Sequence, residues 1–138
     1  MQRVISSFIA GACFLASACA QAQGSFGSSF GTPELLPPEQ AFVVSQPEAD
    51  VIVITIAKGT YLYDERTMVQ NDSGDILKTQ RSESTIYDDP LFGPTSIHKK
   101  ALRMKVSDAP NLMVLTYQGC ADIGFCYPPQ QTELSFSR

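Results

Sequence analysis

Hydrophobic positions in this chain fall in short runs, and no stretch of ten residues sustains a helical period free of Pro or Gly. Val51-Ile52-Val53-Ile54-Thr55-Ile56 is β-branched almost throughout, the kind of run that packs on a pleated sheet. Leu102-Arg103-Met104-Lys105-Val106 alternates apolar with basic residues, and Thr132-Glu133-Leu134-Ser135-Phe136 alternates again, which predicts half-buried strands. Residues 41–45, 61–63, 68–70 and 113–117 complete the predicted strands. Lys58-Gly59-Thr60 and Asn71-Asp72-Ser73-Gly74-Asp75 read as turns between them. Tyr61 and Tyr63 fall on one strand face. Pro33, Pro37 and Pro38 are expected to exclude regular structure up to Glu39. Short strands separated by turns at this spacing predict an all-β antiparallel sandwich, two sheets burying their apolar faces against each other.

The N-terminus changes the picture of where this domain works. One positive charge at Arg3, an apolar stretch, and small residues around Ala18-Cys19-Ala20-Gln21-Ala22 outline a secretory signal peptide over residues 1–22. The stretch falls short of the roughly 20 apolar residues a membrane span needs. Cys13 reads as a small hydrophobe of that signal. Cys19 has the lipoprotein acceptor position as its alternative, disfavoured because Ala16 stands where a Leu-like residue is usual. Residues 23–38 read as a Gly/Ser/Pro leader carrying Phe26 and Phe30, and residues 39–138 as one domain. Beyond the signal the chain has nine basic against fourteen acidic residues, a net charge of −5. That balance argues against nucleic-acid binding. Export also implies an oxidising compartment in which two thiols persist as a disulfide.

The candidate chemistry sits at Cys120 and Cys126, separated by a loop of Ala121-Asp122-Ile123-Gly124-Phe125. Their spacing permits a bridge, either as a structural staple or as a redox switch. A ring so short restricts the unfolded chain by at most about 2 kcal/mol, which is modest for a staple; most bridges in exported proteins are nonetheless inert, so spacing alone leans to the staple. Asp122 lies between the thiols and is a candidate proton acceptor or a plain turn residue. Tyr61, Tyr63, Phe125 and Tyr127 are candidates to shield the sulfurs or to fill the core. Other constellations are thin. His98, beside Lys99, reads as a surface residue, and one histidine with two paired thiols leaves a zinc site short of ligands. No Gly-x-Ser-x-Gly elbow occurs. Asp88-Asp89 is a poor acid pair because adjacent residues of an extended chain point to opposite faces.

The segment Tyr117-Gln118-Gly119-Cys120-Ala121, followed by Gly124-Phe125-Cys126-Tyr127-Pro128-Pro129, resembles the signature of the N-terminal periplasmic domain of the thiol:disulfide interchange protein DsbD. Leu36-Pro37-Pro38-Glu39-Gln40-Ala41-Phe42, Gly59-Thr60-Tyr61-Leu62-Tyr63 and Asp89-Pro90-Leu91-Phe92-Gly93 agree in order, so the resemblance covers residues 33–137. It implies an immunoglobulin-like sandwich and a periplasmic, monomeric, cofactor-free oxidoreductase. In such a domain the cysteine pair relays electrons from a membrane-linked donor to exported thioredoxin-fold proteins of the disulfide isomerase or cytochrome c maturation type. It further implies that Cys126 forms mixed disulfides, that Cys120 resolves them, that Tyr61 and Tyr63 flank the pair, and that Asp89, Pro90, Leu91, Phe92 and Gly93 form a cap loop over the sulfurs. The family loop commonly reads Asp-Glu-Phe-Tyr-Gly, so Pro90, Leu91 and Phe92 depart from it, and Leu91 is expected to shield less than an aromatic. The family's membrane spans and thioredoxin-like domain do not follow in this sequence, which implies a free-standing relay or a binding-only relative whose disulfide is a staple.

Overall fold

The computed structural model describes residues 35–136; the expected signal, Cys13, Cys19, Phe26, Phe30 and Pro33 lie outside the described residues. Pro38–Ala41 forms one helical turn, α1. This corrects the expectation that Pro38 excludes regular structure: a proline at the first helical position loses no hydrogen bond, because that N–H has no intrahelical partner anyway.

Antiparallel strands follow: β1 (Phe42–Glu48), β2 (Val51–Ile56), β3 (Thr60–Tyr63), β4 (Met68–Gln70), β5 (Thr79–Arg81), β6 (Thr85–Asp89), β7 (Gly93–His98), β8 (Ala101–Val106), β9 (Leu112–Tyr117), β10 (Gly119–Ala121), β11 (Phe125–Cys126) and β12 (Gln130–Ser135). They form a sheet β1-β2-β8-β5, a sheet β11-β10-β3-β7-β6 and a sheet β12-β9-β4. All the predicted strands are present. The all-β, immunoglobulin-like sandwich expected from the sequence is the observed architecture.

Alternation decides what each strand buries. On β8, Leu102, Met104 and Val106 turn inward while Ala101, Arg103 and Lys105 face solvent. Register sets Ile52 opposite Met104 and Ile54 opposite Leu102. From the third sheet, Val69, Met113, Leu115, Tyr117 and Leu134 join the same core. Each such side chain, removed from water, contributes about 1.5–3 kcal/mol, and this shared interior holds the sheets face to face.

The middle sheet has two buried faces. Leu62 and Ala121 enter the main core, whereas Tyr61, Tyr63, Ile97 and Cys120 form a second cluster with Tyr87 and Cys126 packed against it. Period-two alternation alone accounts for the division. The strands β7 and β6, which extend this sheet beyond β3, carry few apolar residues and leave no hydrophobic period in the sequence. Nor do the cysteines lie in a plain loop between β9 and β12: the chain leaves β9, pairs β10 with β3, turns back as β11, and only then rejoins β9 through β12.

Candidate functional site: a cysteine pair under two tyrosines and a buried aspartate

Cys120 and Cys126 are directly opposed across the β10–β11 hairpin and joined as a disulfide, with Cα atoms 3.9 Å apart. The hairpin holds its shape through backbone bonds from Gly124 to Ala121 and from Tyr127 to Gly119. Gly119 is required by close approach: a Cβ there would overlap the Tyr61 carbonyl oxygen and the Phe42 ring. The absence of a side chain lets β10 lie against β3, which sets Cys120 opposite Tyr61.

The two sulfurs differ in access. Cys120 is 0% exposed, and Cys126 is half-buried at the edge of a cleft of about 120 Å³ that Tyr61, Tyr87, Asp89 and Leu91 also line. Tyr63 Oη lies 3.1 Å from Cys120 Sγ and 4.0 Å from Cys126 Sγ. Both tyrosine hydroxyls donate to one oxygen of Asp89, Tyr63 at 2.6 Å and Tyr61 at 2.8 Å. The other oxygen accepts the backbone N–H of Leu91 at 2.8 Å and of Phe92 at 3.2 Å.

Four donors converge on one buried carboxylate, and the charges follow from that. Burial pushes the Asp89 carboxyl up, but hydrogen bonds from Tyr63, Leu91, Tyr61 and Phe92 outweigh it and hold the group below its ordinary value of 3.8. Burial, then the bond to Asp89, pushes the Tyr63 hydroxyl up to about 12. The same two causes push Tyr61 up further. At neutral pH the site therefore holds an ionised carboxylate and two protonated phenols.

Residues 89–93 fold over this acid as a short turn whose amides it caps. Gly93, at φ +72°, supplies the left-handed step that returns the chain to β7. Leu91 is 68% exposed and lines the cleft that Cys126 borders. Phe92 is the aromatic that packs inward, edge-on to Tyr63 with ring centroids 5.7 Å apart. The Arg66 guanidinium sits 4.1 Å above the Phe92 ring.

The other sequence-predicted residues divide. Asp122 is exposed, and among the described residues its carboxylate has no hydrogen-bond partner; its backbone N–H instead ties the hairpin to Gly59. The acid beside the tyrosines is Asp89. Phe125 is part-exposed and packs edge-on to Tyr127. Tyr127 turns its hydroxyl away from the sulfurs, donating to the Leu36 carbonyl at 2.7 Å, and its ring meets Phe42 in the main core. Asp88 is exposed and Asp89 buried, as opposite faces of a strand require. His98 corrects the surface reading. It is 3% exposed, opposite Leu62 on β7, with Nε2 2.9 Å from Asp64 Oδ1.

Sequence reasoning missed Arg66 and Gln118. Arg66 donates to the Gln118 side chain at 2.8 Å, and Gln118 donates to the Tyr127 carbonyl at 3.0 Å. Gln118 was visible inside the cysteine motif, but nothing in the sequence connected Arg66 to it.

Known proteins share this sequence and fold. Residues 32–137 match the family model described as thiol:disulfide interchange protein DsbD, N-terminal. The chain is 36% identical over 113 residues to the thiol:disulfide interchange protein DsbD of Neisseria meningitidis serogroup A, covering 75% of this chain and 19% of the relative. It is 30% identical over 114 residues to DsbD of Escherichia coli K12, covering 78% of this chain and 20% of the relative. It thus spans about a fifth of the length of the curated relatives it matches. The crystal structure of the reduced N. meningitidis DsbD N-terminal domain superposes with a TM-score of 0.66 at 34% identity, covering 75% of this chain and 90% of that one. The complex of the N. meningitidis DsbD N-terminal domain with the PilB N-terminal domain gives a TM-score of 0.60 at 32% identity, covering 74% and 87%. With the sandwich fold, the sequence identities and the matched span in agreement, this chain belongs to the family of the DsbD N-terminal domain.

Proposed function

We propose that this domain is a periplasmic thiol-disulfide relay in which Cys126 exchanges with partners and Cys120 resolves the mixed disulfides. The observation that carries the reading is the unequal access of the two sulfurs: Cys126 borders the cleft, and Cys120 is wholly enclosed. Exchange requires a thiolate to approach one sulfur in line with the bond it breaks. Only Cys126 offers that approach from solvent.

A donor dithiol would react in two steps. Its thiolate attacks Cys126 Sγ, the bond to Cys120 breaks, and Cys120 leaves with the electron pair beside Tyr63 Oη. The donor's second thiolate then attacks the donor sulfur of the mixed disulfide and releases Cys126. The donor ends as a disulfide, and this domain as a dithiol holding two more electrons and, once protonated, two protons. Discharge to an acceptor disulfide runs the same sequence in reverse, with Cys126 attacking and Cys120 resolving. The reaction needs no cofactor.

The partners that fit are exported thioredoxin-fold proteins, with a membrane-linked donor upstream. The neisserial complex with the PilB N-terminal domain supports a protein partner docking on this domain type. Capture tests the assignment: Cys120→Ala should accumulate mixed disulfides through Cys126 with thioredoxin-fold proteins of a periplasmic extract, and Cys126→Ala should not. A midpoint potential well below about −300 mV, with no captured partner, would instead identify the bridge as structural.

A further inference from the structure

The turn after β3 places a cation where the proposed reaction has no use for a charge. Residues 64–67 are pinned from several sides. Thr67 N–H bonds to the Asp64 carbonyl, and the Thr67 hydroxyl to the Tyr63 carbonyl at 2.8 Å. The Arg81 guanidinium bonds to the Asp64 carbonyl at 2.6 Å and to the Thr67 carbonyl at 2.5 Å. Arg81 and His98 both meet the Asp64 carboxylate, at 3.2 Å and 2.9 Å. A turn fixed this firmly presents Arg66 in one direction.

What Arg66 meets there is the segment 89–93. Its guanidinium lies 4.1 Å above the Phe92 ring and 5.2 Å from the Tyr63 ring centroid, while one N–H is held by Gln118. Gln118 in turn grips the Tyr127 carbonyl, next to Cys126. Phe92 remains 50% exposed, and Leu91 and Pro90 face solvent. The segment is thus held by the Asp89 turn at its start and, at Phe92, by the edge-on contact with Tyr63 and the Arg66 stack above it, with little apolar burial of its own.

We propose that Arg66 is a positioning residue that stacks on Phe92 to hold residues 89–93 against the cleft, and so sets how readily an incoming thiol reaches Cys126. The inference rests on the reading of Cys126 as the attacked sulfur. A planar guanidinium suits the task because it stacks on one ring with its face while its edge keeps the bond to Gln118, which a lysine ammonium cannot reproduce.

The test is the rate at which the oxidised protein is reduced by 2-mercaptoethanol, a thiol that needs no docking surface. Arg66→Ala should react about five-fold faster, equivalent to about 1 kcal/mol of lost stacking. Phe92→Ala should react at least as fast, since it also loses the edge-on contact with Tyr63, and adding Arg66→Ala to it should give no further increase, because the stack is then already gone. Arg66→Lys should resemble Arg66→Ala. The midpoint potential should not move in Arg66→Lys, which keeps the charge while the stack, itself out of contact with the sulfurs, is lost. A rate for Arg66→Ala within two-fold of the unaltered protein, additive effects in the double variant, or full retention of the slow rate by Arg66→Lys would each overturn the proposal. Mixed-disulfide capture by Cys120→Ala reports separately on the relay, so failure of one reading is distinguishable from failure of the other.

Discussion

Asp89→Asn isolates what the buried charge contributes, because the side chain keeps its shape. The carboxylate serves two sets of donors, the phenols of Tyr61 and Tyr63 on one oxygen and the amides of Leu91 and Phe92 on the other. An amide has only one oxygen. Turned toward the loop it still accepts Leu91 and Phe92, and its NH2 then donates to the phenol oxygens, which must send their own protons elsewhere. Tyr63 has Cys120 Sγ at 3.1 Å as an alternative, a weak acceptor, and Tyr61 has the neighbouring Tyr63 hydroxyl oxygen. Both phenols exchange a charge-assisted bond for a weaker neutral one, at about 1–3 kcal/mol together, and the two loop bonds lose their charge assistance as well. The expected loss is about 2 kcal/mol at pH 7, or roughly 8–16 °C in Tm for a domain of this size. The pH dependence gives a second check. A carboxyl held below its ordinary value of 3.8 in the fold contributes its stability above that value and loses it as pH falls through the lower folded value. The gap between the two proteins, measured by urea denaturation at pH 7 and at pH 3, should therefore shrink in acid. Equal stability at pH 7, or a gap that stays constant with pH, would refute the account of Asp89 as an ionised hub.

Two further substitutions probe the scaffold beneath the site. Gly119→Ala should cost about 3 kcal/mol or more in chemical denaturation, because the new methyl meets the backbone carbonyl of Tyr61, which cannot rotate away, as well as the Phe42 ring; Phe42→Leu in the same chain should recover only part of the loss. Tyr127→Phe should cost about 1 kcal/mol through the lost bond to Leu36, with the reduction rate of the disulfide unchanged, since its hydroxyl points away from the sulfurs.

The parts of this fold legible in the sequence are those where burial writes a period. Residues 51–56 and 102–106 declare themselves because their inward positions are apolar and, on the second, the outward ones are not. Thr79–Arg81 contains no apolar residue, and on Thr85–Asp89 the one isoleucine, Ile86, is 71% exposed. These strands exist because partners offer them hydrogen bonds, and single-strand patterns do not record a partner. The site divides in the same way. The cysteines and tyrosines stand in motifs, but Asp89 acts on Tyr61 from 28 positions away, and Asp122, the nearer acid in sequence, turns to solvent. His98 escapes the pattern for a related reason: it is the last residue of β7, its neighbour Lys99 already belongs to the exposed bend that follows, and the partner that makes burial tolerable, Asp64, is 34 positions distant.

The middle sheet separates two kinds of heritable change. Tyr61, Tyr63 and Cys120 face the cluster around the sulfurs, and Leu62 and Ala121 face the main core, so changes on the first set are expected to act first on reactivity and changes on the second on core packing. Chemistry at the sulfurs and packing of the main core are therefore set by alternate positions of the same two strands. Gly119, wedged between the Phe42 ring and the Tyr61 backbone, is where that separation ends.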